Sequence, residues 1–546
     1  MRSYGSFVAG NELPADNWTY CLRASSLLDD VLGQLTLKRD LERGRRDDGA
    51  AHPSVVARCA LADEQTAQQA LAAAAAAAPV WVAMAPGVRA DLMRRLHEEL
   101  ARYHDEIVSV LVDEGHPRAL AQWELAGALQ GSSPETVGYC LDQMHREYRD
   151  PHRRLLLVRK PDGVVALSPP QNAAAINSLL GVPMIAAGNT LVVKAPRSTP
   201  YGVMFVLREI VAPLLDEVGA PPGTLNVVCG HPGRILRQWL ESPLVDDIVY
   251  FGSSETGIPL GQEAVQLGKK PILELAGNDG CVVWHDADLD RAAEALTESF
   301  YGSGQICMVP NYVVAHPDIA DRLLDRLLSL VSKIRPGYPE DPDTILSPVL
   351  KTDQFFQFVA QASAAGARVL TGGRRMEVDG SVSGTGIFVE PTVLRVDGLD
   401  GAREVWAVAR ETFFPLLPVV VPEPATGDRL VDDVITFLNG NDYGLRNSVW
   451  TSDETTIARF ATRVTNGGLL KINDSHIGFA PYLATHGGGG LTGGPFGEAN
   501  HPMLRTSHLQ GISIGTGVQP RRAVFASAGH NQRAGAEARA GAGAAS

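Results

Sequence analysis

Cys307 is the residue of this sequence whose type and setting first suggest chemistry. It ends the stretch 304–307 (Gly-Gln-Ile-Cys), which follows 300–303 (Phe-Tyr-Gly-Ser). A thiol placed after a glycine-rich turn can reach solvent and attack an electrophile, whereas a thiol in an apolar strand is inert. One cysteine beside glycines also fits a small buried apolar residue, so the other polar residues of the chain decide between the two interpretations.

Two polar side chains upstream could assist an attack on a carbonyl group. Glu274 lies in the apolar run 273–277 (Leu-Glu-Leu-Ala-Gly). A buried carboxylate without a partner has a raised pKa, which suits a general base, although an ion-paired or helix-end glutamate fits the same pattern. Asn172 ends the stretch 168–172 (Ser-Pro-Pro-Gln-Asn), directly after a predicted strand, where its amide could donate to an oxyanion. An asparagine in a proline-containing turn can equally cap local backbone.

Lys194 and Arg197 could bind a nucleotide. Lys194 ends an apolar run that predicts a strand, and its ammonium group could donate to the ribose hydroxyls or the phosphate of a nucleotide lying over the sheet. A surface lysine with its charged end in solvent is the alternative. Arg197 follows three residues later, and an arginine near the ribose commonly marks a site for the 2′-phosphate of NADP.

Two further stretches fit a dinucleotide. Gly252 and Ser253 belong to 251–257 (Phe-Gly-Ser-Ser-Glu-Thr-Gly), which follows a predicted strand and opens a helix. Small residues there let backbone N–H groups approach a pyrophosphate, although an ordinary helix cap explains them as well. Glu411 and Phe413 form an acidic and aromatic pair, which could also be a simple turn into the predicted strand 415–421.

Taken in order, these residues resemble the aldehyde dehydrogenase superfamily. The resemblance covers residues 55–513 and includes the Gly-Gln-x-Cys stretch at 304–307, the Glu-x-Phe stretch at 411–413 and Pro-Phe-Gly at 495–497. It implies an α/β fold with a Rossmann-like cofactor domain, an α/β catalytic domain and a small bridging β-element that mediates oligomerisation.

The resemblance implies that Cys307 is the nucleophile in the oxidation of an aldehyde to a carboxylic acid. Glu274 would activate the water that hydrolyses the thioester, and Asn172 would hold the oxyanion together with the backbone N–H of Cys307. A relative that transfers the acyl group to coenzyme A is an alternative, which Glu274 argues against. A catalytically silent binding protein of the same fold is another.

The resemblance also assigns the cofactor contacts. Lys194 would bind the adenosine ribose, Ser253 the pyrophosphate, and Glu411 with Phe413 the nicotinamide ribose and ring. Arg197 favours NADP, and NAD stays open. The sequence departs from the family pattern at Gln171, where an aromatic residue is usual, and at Phe251, where a threonine is usual.

Composition narrows the class of protein. A net charge of −14 argues against a nucleic-acid partner. No apolar run reaches the roughly 18 residues of a membrane span, and the amino terminus lacks the apolar core of a signal peptide. The six cysteines are dispersed, with no pair or histidine cluster typical of a metal site. We therefore expect a cytoplasmic protein without a metal.

The order of apolar and amphipathic segments along the chain predicts the strands and helices that would position these residues. From residue 158 onward, short apolar runs alternate with amphipathic segments, which predicts a parallel, doubly wound sheet with its ligands at the carboxyl ends of the strands. Residues 1–55 look irregular, and the charge-dense run 41–48 looks like a solvated loop or helix end.

The expected domains follow from these elements and the resemblance. We expect a cofactor domain from 1–138 and 163–274, a catalytic domain from 275–475, a bridging element from 139–162 and 476–513, and a low-complexity tail from 514–546. The segment 139–162 is short for the family's bridging hairpin, which favours a homodimer over a tetramer.

Overall fold

The computed structural model describes residues 1–425 and 428–515. Almost all of the predicted low-complexity tail, 516–546, therefore lies outside the described residues. Residues 514 and 515, which the prediction also placed in the tail, end a strand instead.

A seven-stranded sheet holds most of the first half of the chain. Five of its strands are parallel because helices connect them, and the two strands at one edge are antiparallel. The central strands are buried along their whole length, as expected for a parallel sheet covered on both faces. The spatial order is Lys270–Glu274, Asp247–Phe251, Val164–Ser168, Thr190–Ala195, Leu225–Cys229, Ser6–Val8 and Asn11–Leu13.

Helices cover both faces of this first sheet. Val165 and Val193 belong to one hydrophobic cluster, whereas their neighbours Val164 and Val192 belong to another, because successive side chains of a strand point to opposite faces. The helices of this half are Glu64–Ala83, Pro86–Arg102, His104–Asp113, Arg118–Gly131, Pro134–Met144, Ala174–Leu179, Gly181–Ala186, Tyr201–Phe205, Ala212–Glu217, Pro232–Glu241 and Ser254–Gln266, with a π-helical segment Val206–Val211.

A second seven-stranded sheet follows. All its neighbours are parallel except the pair at one edge, Arg368–Thr371 with Thr392–Asp397. Its order is Arg368–Thr371, Thr392–Asp397, Leu416–Val421, Pro310–Ala315, Asp279–Val283, Arg446–Trp450 and Leu469–Ile472. Its helices are Leu289–Leu296, Ala320–Val331, Thr352–Ala364, Trp406–Ala409, Arg429–Asn439 and Glu454–Arg463. The two sheets confirm the predicted α/β fold.

Smaller elements complete the described chain. Short strands pair at Arg375–Met376 and Phe388–Val389, Tyr443–Gly444 forms isolated bridges, and single helical turns lie at Ala402–Glu404, Gly490–Gly493 and Pro502–Arg505.

A three-stranded antiparallel sheet stands apart from the two larger ones. The hairpin His145–Asp150 and Arg153–Pro161 pairs with the strand Ser507–Gly515, which runs along the full length of 153–161. The middle strand therefore has two partners, and the other two strands each present a free edge to solvent.

The expectation that residues 1–55 are irregular was wrong. This segment forms strands and helices, because its short strands pair with distant ones: Arg2–Tyr4 lies beside Val55–Ala60, and Ser6–Val8 beside Leu225–Cys229. Three-residue strands carry no pattern of their own and exist through such pairing. The other elements are Asn11–Leu13, Trp18–Leu22, Ala24–Asp29, Val31–Glu42 and the 3₁₀ turn Asp48–Ala50. The charged run at 41–48 begins inside a helix, with Leu41 buried.

No single helix among the described residues is long and apolar enough to cross a membrane. The helices Glu64–Ala83 and Pro86–Arg102 meet the length and composition test only together, and they are bent by 110° at the break between them.

Candidate active site

A cavity of about 1290 Å³ contains every site residue predicted from the sequence. The nine residues come from both sheets and from the loops after their strands. They are Asn172, Lys194, Arg197, Gly252, Ser253, Glu274, Cys307, Glu411 and Phe413. The chain thus brings all of them together, while the role of each stays a prediction.

Cys307 follows a strained turn that places it in the cavity wall. The 3₁₀ segment Thr297–Gly304 contains three consecutive residues with left-handed backbone, Gly302, Ser303 and Gly304 (φ 59°, 58° and 70°). Ser303 is not a glycine, so this conformation costs energy and must be held by its surroundings. Its hydroxyl donates to the carbonyl of Ser347 at 2.5 Å and accepts from the Ser347 N–H at 3.0 Å.

The backbone of Cys307 also packs very closely against Gly277. A Cβ atom at position 277 would collide with the carbonyl oxygen of Cys307. Gly277 therefore allows the loop that carries the thiol to approach the end of the first sheet.

The Cys307 thiol is half-buried and neutral at physiological pH. Burial, reinforced by the nearby carboxylate of Glu411, raises the pKa of this thiol to about 12. The protein without bound ligands therefore holds the sulfur as a thiol, and attack on a carbonyl requires that the proton be removed first.

Asn172 lies directly beside the loop that carries Cys307. Its amide Nδ2 donates to the carbonyl of Gln305 at 2.8 Å, and the Gln305 side chain in turn donates to the carbonyl of Pro348 at 2.9 Å. The amide nitrogen carries two N–H groups, and Gln305 uses one of them. Asn172 therefore keeps a second amide N–H that the bond to Gln305 does not use, and it lines the same cavity as Cys307.

Glu274 is buried and ion-paired. It ends the strand Lys270–Glu274, where Arg505 donates to its Oε1 and the backbone N–H of Gly487 donates to its Oε2 at 2.8 Å. Of the two interpretations that the sequence left open for Glu274, the structure shows the ion-paired glutamate. Arg505 and Gly487 were missed because they lie 231 and 213 residues away, with no local signal to link them to Glu274.

His486 occupies the same wall of the cavity. Its ring packs edge-on against Phe251 with centroids 5.8 Å apart, and its Nδ1 lies 2.8 Å from the hydroxyl of Thr485. Burial lowers the pKa of His486 to about 4, so the imidazole is neutral near pH 7. The unusual Phe251 therefore has a packing partner that the sequence did not reveal.

Glu411 and Phe413 lie just before the strand Leu416–Val421. One carboxylate oxygen of Glu411 accepts the Gly277 N–H at 3.0 Å, and burial raises the pKa of this carboxyl to about 7. Phe413 is half-buried in the cavity wall. Glu411 thus helps to fix the glycine against which the Cys307 loop packs.

Lys194 presents a buried positive charge to the cavity. It is 4% exposed within the strand Thr190–Ala195. Burial lowers the pKa of its ammonium group, and the nearby Cys229 thiol has a smaller effect that raises this pKa. No carboxylate of the described residues lies within ion-pair distance of it. A buried cation without an acidic partner fits the hydroxyl and phosphate oxygens of a nucleotide.

The side chain of Arg197 and the backbone N–H of Gly252 are already engaged in contacts within the protein, whereas Ser253 is exposed. Arg197 is half-exposed, and its Nη2 lies 3.1 Å from a carboxylate oxygen of Glu42. The N–H of Gly252 already donates to the carbonyl of Glu274 at 3.2 Å. This glycine therefore does not offer its N–H to a ligand, but its lack of a side chain lets a ligand approach the backbone closely. Ser253 is exposed and precedes the helix Ser254–Gln266, whose N-terminus suits an anion.

An apolar wall lies on the other side of Cys307. Trp123 stacks on Phe479 with ring centroids 5.3 Å apart, and its indole N–H donates to the carbonyl of Ile477 at 3.2 Å. Leu120, Ile306 and Met308 extend this wall around the thiol. None of the described residues forms a cluster of side chains that could hold a metal ion.

Comparisons with known proteins agree with this arrangement. Residues 48–504 match the model of the aldehyde dehydrogenase family. A glutarate-semialdehyde dehydrogenase of Pseudomonas aeruginosa is 29% identical over 463 residues, covering 82% of this chain and 90% of that protein. An NADP-dependent succinate-semialdehyde dehydrogenase of Escherichia coli is 30% identical over 76% of this chain and 83% of its own length. The crystal structure of an NAD-dependent aldehyde dehydrogenase from Sinorhizobium meliloti superposes with a TM-score of 0.77 at 24% identity, over 95% of each chain.

Proposed function

This chain belongs to the aldehyde dehydrogenase family and is an NAD(P)-dependent oxidoreductase that converts an aldehyde to its carboxylic acid, and we propose that Cys307 is its nucleophile. The observation that carries the proposal is the grouping of Cys307, Asn172 and Glu274 in one cavity.

The first step is the loss of the Cys307 thiol proton to solvent water, followed by attack of the resulting thiolate on the aldehyde carbon. A carbon–sulfur bond forms, and the carbonyl oxygen becomes the alkoxide of a thiohemiacetal. The Asn172 amide and the backbone N–H of Cys307 stabilise this charge, and one such donor is worth roughly 10²–10³ in rate.

A nicotinamide cofactor held by Lys194, Ser253 and Glu411 would supply the acceptor for the hydride that leaves the thiohemiacetal carbon, and Cys307 would then carry the acyl group as a thioester. Glu274 then takes a proton from water, whose oxygen attacks the thioester carbon. The carbon–sulfur bond breaks, and the acid and the thiolate are released. Each carboxylate oxygen of Glu274 accepts one hydrogen bond at rest, from Arg505 or from Gly487, and keeps a second lone pair that can take a proton from this water.

For the cofactor, Lys194 would bind the adenosine ribose, Ser253 with the close approach at Gly252 the pyrophosphate, and Glu411 with Phe413 the nicotinamide half. We favour NADP over NAD because Arg197 lies beside Lys194 in sequence and lines the same cavity. The relatives named above include an NADP enzyme and an NAD enzyme, so nicotinamide binding is common to both.

The domain division and the assembly belong to this proposal as well. We take 1–138 with 163–274 as the cofactor domain, 275–475 as the catalytic domain, and the three-stranded sheet as the bridging element of a homodimer. The free sheet edges and the exposed side chains of Leu509 and Ile514 support an interface there. All six cysteines are free thiols, which fits the cytoplasmic location expected from the sequence.

The test is absorbance at the reduced-nicotinamide band with a panel of aliphatic and aromatic aldehydes, each with NAD and with NADP. Wild-type protein should produce signal, Cys307→Ala should produce none, and Cys59→Ala should behave like wild type because Cys59 is buried away from the cavity. Turnover retained by Cys307→Ala would overturn the nucleophile. Signal that appears only after coenzyme A is added would favour acyl transfer to coenzyme A over hydrolysis.

A further inference from the structure

An unusually long connection joins two paired strands near the amino terminus. Trp18–Leu22 and Val55–Ala60 are antiparallel neighbours, yet residues 23–54 between them form two helices and a 3₁₀ turn. Hairpin connections usually take two to five residues, whereas this connection contains helices of its own. The family match begins at residue 48, after both helices. Both helices of this connection therefore lie outside the residues that the family model matches.

The second helix of the connection, Val31–Glu42, turns one face to the protein core and another to the cavity. Leu37 and Leu41 are buried against Leu22 and Val55. Lys38 and Glu42 lie four residues apart, hence on one face, and both line the cavity that holds Cys307. The helix is thus anchored by leucines and contributes charged groups to the cleft.

Those charged groups meet the cations expected at the adenosine end of the cofactor. Glu42 Oε2 lies 3.1 Å from Arg197, and Glu42 Oε1 lies 4.0 Å from Lys38 Nζ and accepts the Thr19 hydroxyl at 2.7 Å. A hydroxyl and two cations therefore hold this carboxylate in place.

The buried thiol of Cys229 reports that the cations are close together. Burial raises the pKa of Cys229 to about 12, while Lys194, Arg197 and Lys38 each lower it. Glu42 pairs with two of these cations, Arg197 and Lys38, and Lys194 has no carboxylate partner among the described residues, so positive charge exceeds negative charge at this end of the cavity. A phosphate monoester, which carries nearly two negative charges at pH 7, matches this excess, whereas a ribose hydroxyl does not.

We propose that Lys38, together with Arg197, binds the 2′-phosphate of NADP, so that the helical connection takes part in the choice of cofactor. This inference rests on the proposed function. Glu42 is a positioning residue, because it holds the Arg197 guanidinium and the Lys38 ammonium on the same side of the cavity. Phosphate binding would exchange part of each ion pair with Glu42 for a charge-assisted hydrogen bond to phosphate oxygen.

Calorimetry with two small nucleotides tests this directly. Adenosine 2′,5′-bisphosphate carries the 2′-phosphate, and adenosine 5′-monophosphate lacks it. Lys38→Met should weaken binding of the bisphosphate at least about tenfold and leave the monophosphate within about twofold, since only the bisphosphate would lose a charge-assisted hydrogen bond. Arg39→Met is the matched control, because Arg39 lies on the same helix, pairs with Asp40 and does not line the cavity. In turnover, Lys38→Met should raise KM for NADP and leave KM for NAD unchanged.

Two results would overturn the inference: equal affinities of wild-type protein for the two nucleotides, or a Lys38→Met variant that weakens both equally or neither. A failure of the proposed function looks different. In that case wild-type protein would still prefer the bisphosphate but would reduce neither NAD nor NADP with any aldehyde.

Discussion

At the scale of single residues, burial sets the resting state of the cavity. It is the main cause that raises the pKa of the Cys307 thiol to about 12 and of the Glu411 carboxyl to about 7, and that lowers the pKa of His486 to about 4. All three shifts favour the neutral form, as expected where water is largely excluded. Without ligands, burial therefore holds the sulfur that must become negative as a neutral thiol.

The first prediction concerns the pH dependence of Cys307 alkylation. Iodoacetamide reacts with the thiolate, and the raised pKa means that the thiolate fraction grows about tenfold per pH unit up to roughly pH 11. The alkylation rate of the ligand-free protein should therefore rise between pH 7 and 10 without a plateau. Measuring the rate by mass spectrometry of the Cys307 peptide checks this, and a plateau below pH 9 would contradict it.

The second prediction separates acylation from hydrolysis at Glu274. Glu274→Gln keeps the side-chain shape but cannot take a proton from water, so steady-state turnover should fall about 10²–10⁴-fold. Hydride transfer precedes that step and should survive. Stopped-flow absorbance should therefore show a burst of about one reduced cofactor per active site. A variant that loses burst and steady state in proportion would place Glu274 in the earlier step.

Residue types and spacing were enough to find the polar groups of this cavity, because the strands Thr190–Ala195 and Lys270–Glu274 carry Lys194 and Glu274 at or next to their carboxyl ends. They could not reveal how Glu274 is held. Arg505 and Gly487 reach it only through the three-dimensional fold, and neither carries a motif of its own.

At the scale of elements, the turn before Cys307 depends on a glycine in another segment. The third prediction is that Gly277→Ala displaces this turn, because the added methyl would occupy the position of the Cys307 carbonyl. Overpacking of this kind costs about 1–3 kcal/mol. Denaturant unfolding should show that loss together with strongly reduced turnover.

Gly384→Ala is the matched control for that substitution. A Cβ atom at position 384 meets nothing within 4 Å, and its backbone needs no left-handed conformation. Both stability and turnover should stay near wild type. Equal behaviour of the two variants would show that the close approach at Gly277 is not required.

Strands and helices were predictable where the segment itself carries a continuous apolar or amphipathic pattern. The strand predicted directly before Asn172 and its neighbours is found at Val164–Ser168, and the strand predicted to end at Lys194 is found at Thr190–Ala195. The prediction for the first 55 residues was wrong because Arg2–Tyr4 and Ser6–Val8 form strands only by pairing with strands far along the chain. The helix Val31–Glu42 was not predicted, because the charged residues at its end drew attention away from the apolar Leu37 and Leu41, which are buried.

At the scale of the whole molecule, the three-stranded sheet is the surface suited to self-association. Leu509 and Ile514 are 57% and 42% exposed on the strand Ser507–Gly515, and Tyr148 and Leu157 are exposed on its neighbours. Apolar side chains beside free strand edges are costly to leave in water and favour pairing with another copy.

The fourth prediction is that wild-type protein is a dimer and that Leu509→Glu with Ile514→Glu is a monomer. Charged groups at this sheet would have to be buried without partners in the interface. Light scattering after size exclusion measures the mass. Val382→Glu, at a comparably exposed apolar residue of another region, should leave the dimer intact. A wild-type monomer, or a double variant that remains dimeric, would contradict the interface.

The ion pair that holds Glu274 also dictates an order of events during protein synthesis. Every strand of the first sheet has been made once residue 274 is translated, whereas Arg505 follows 231 residues later. At 5–20 residues per second, that interval lasts roughly 10–50 s. The half of the protein expected to bind nucleotide can therefore assemble on the ribosome well before the catalytic carboxylate acquires its partner. Glu274 therefore stays without its cationic partner while the second half of the chain is being made.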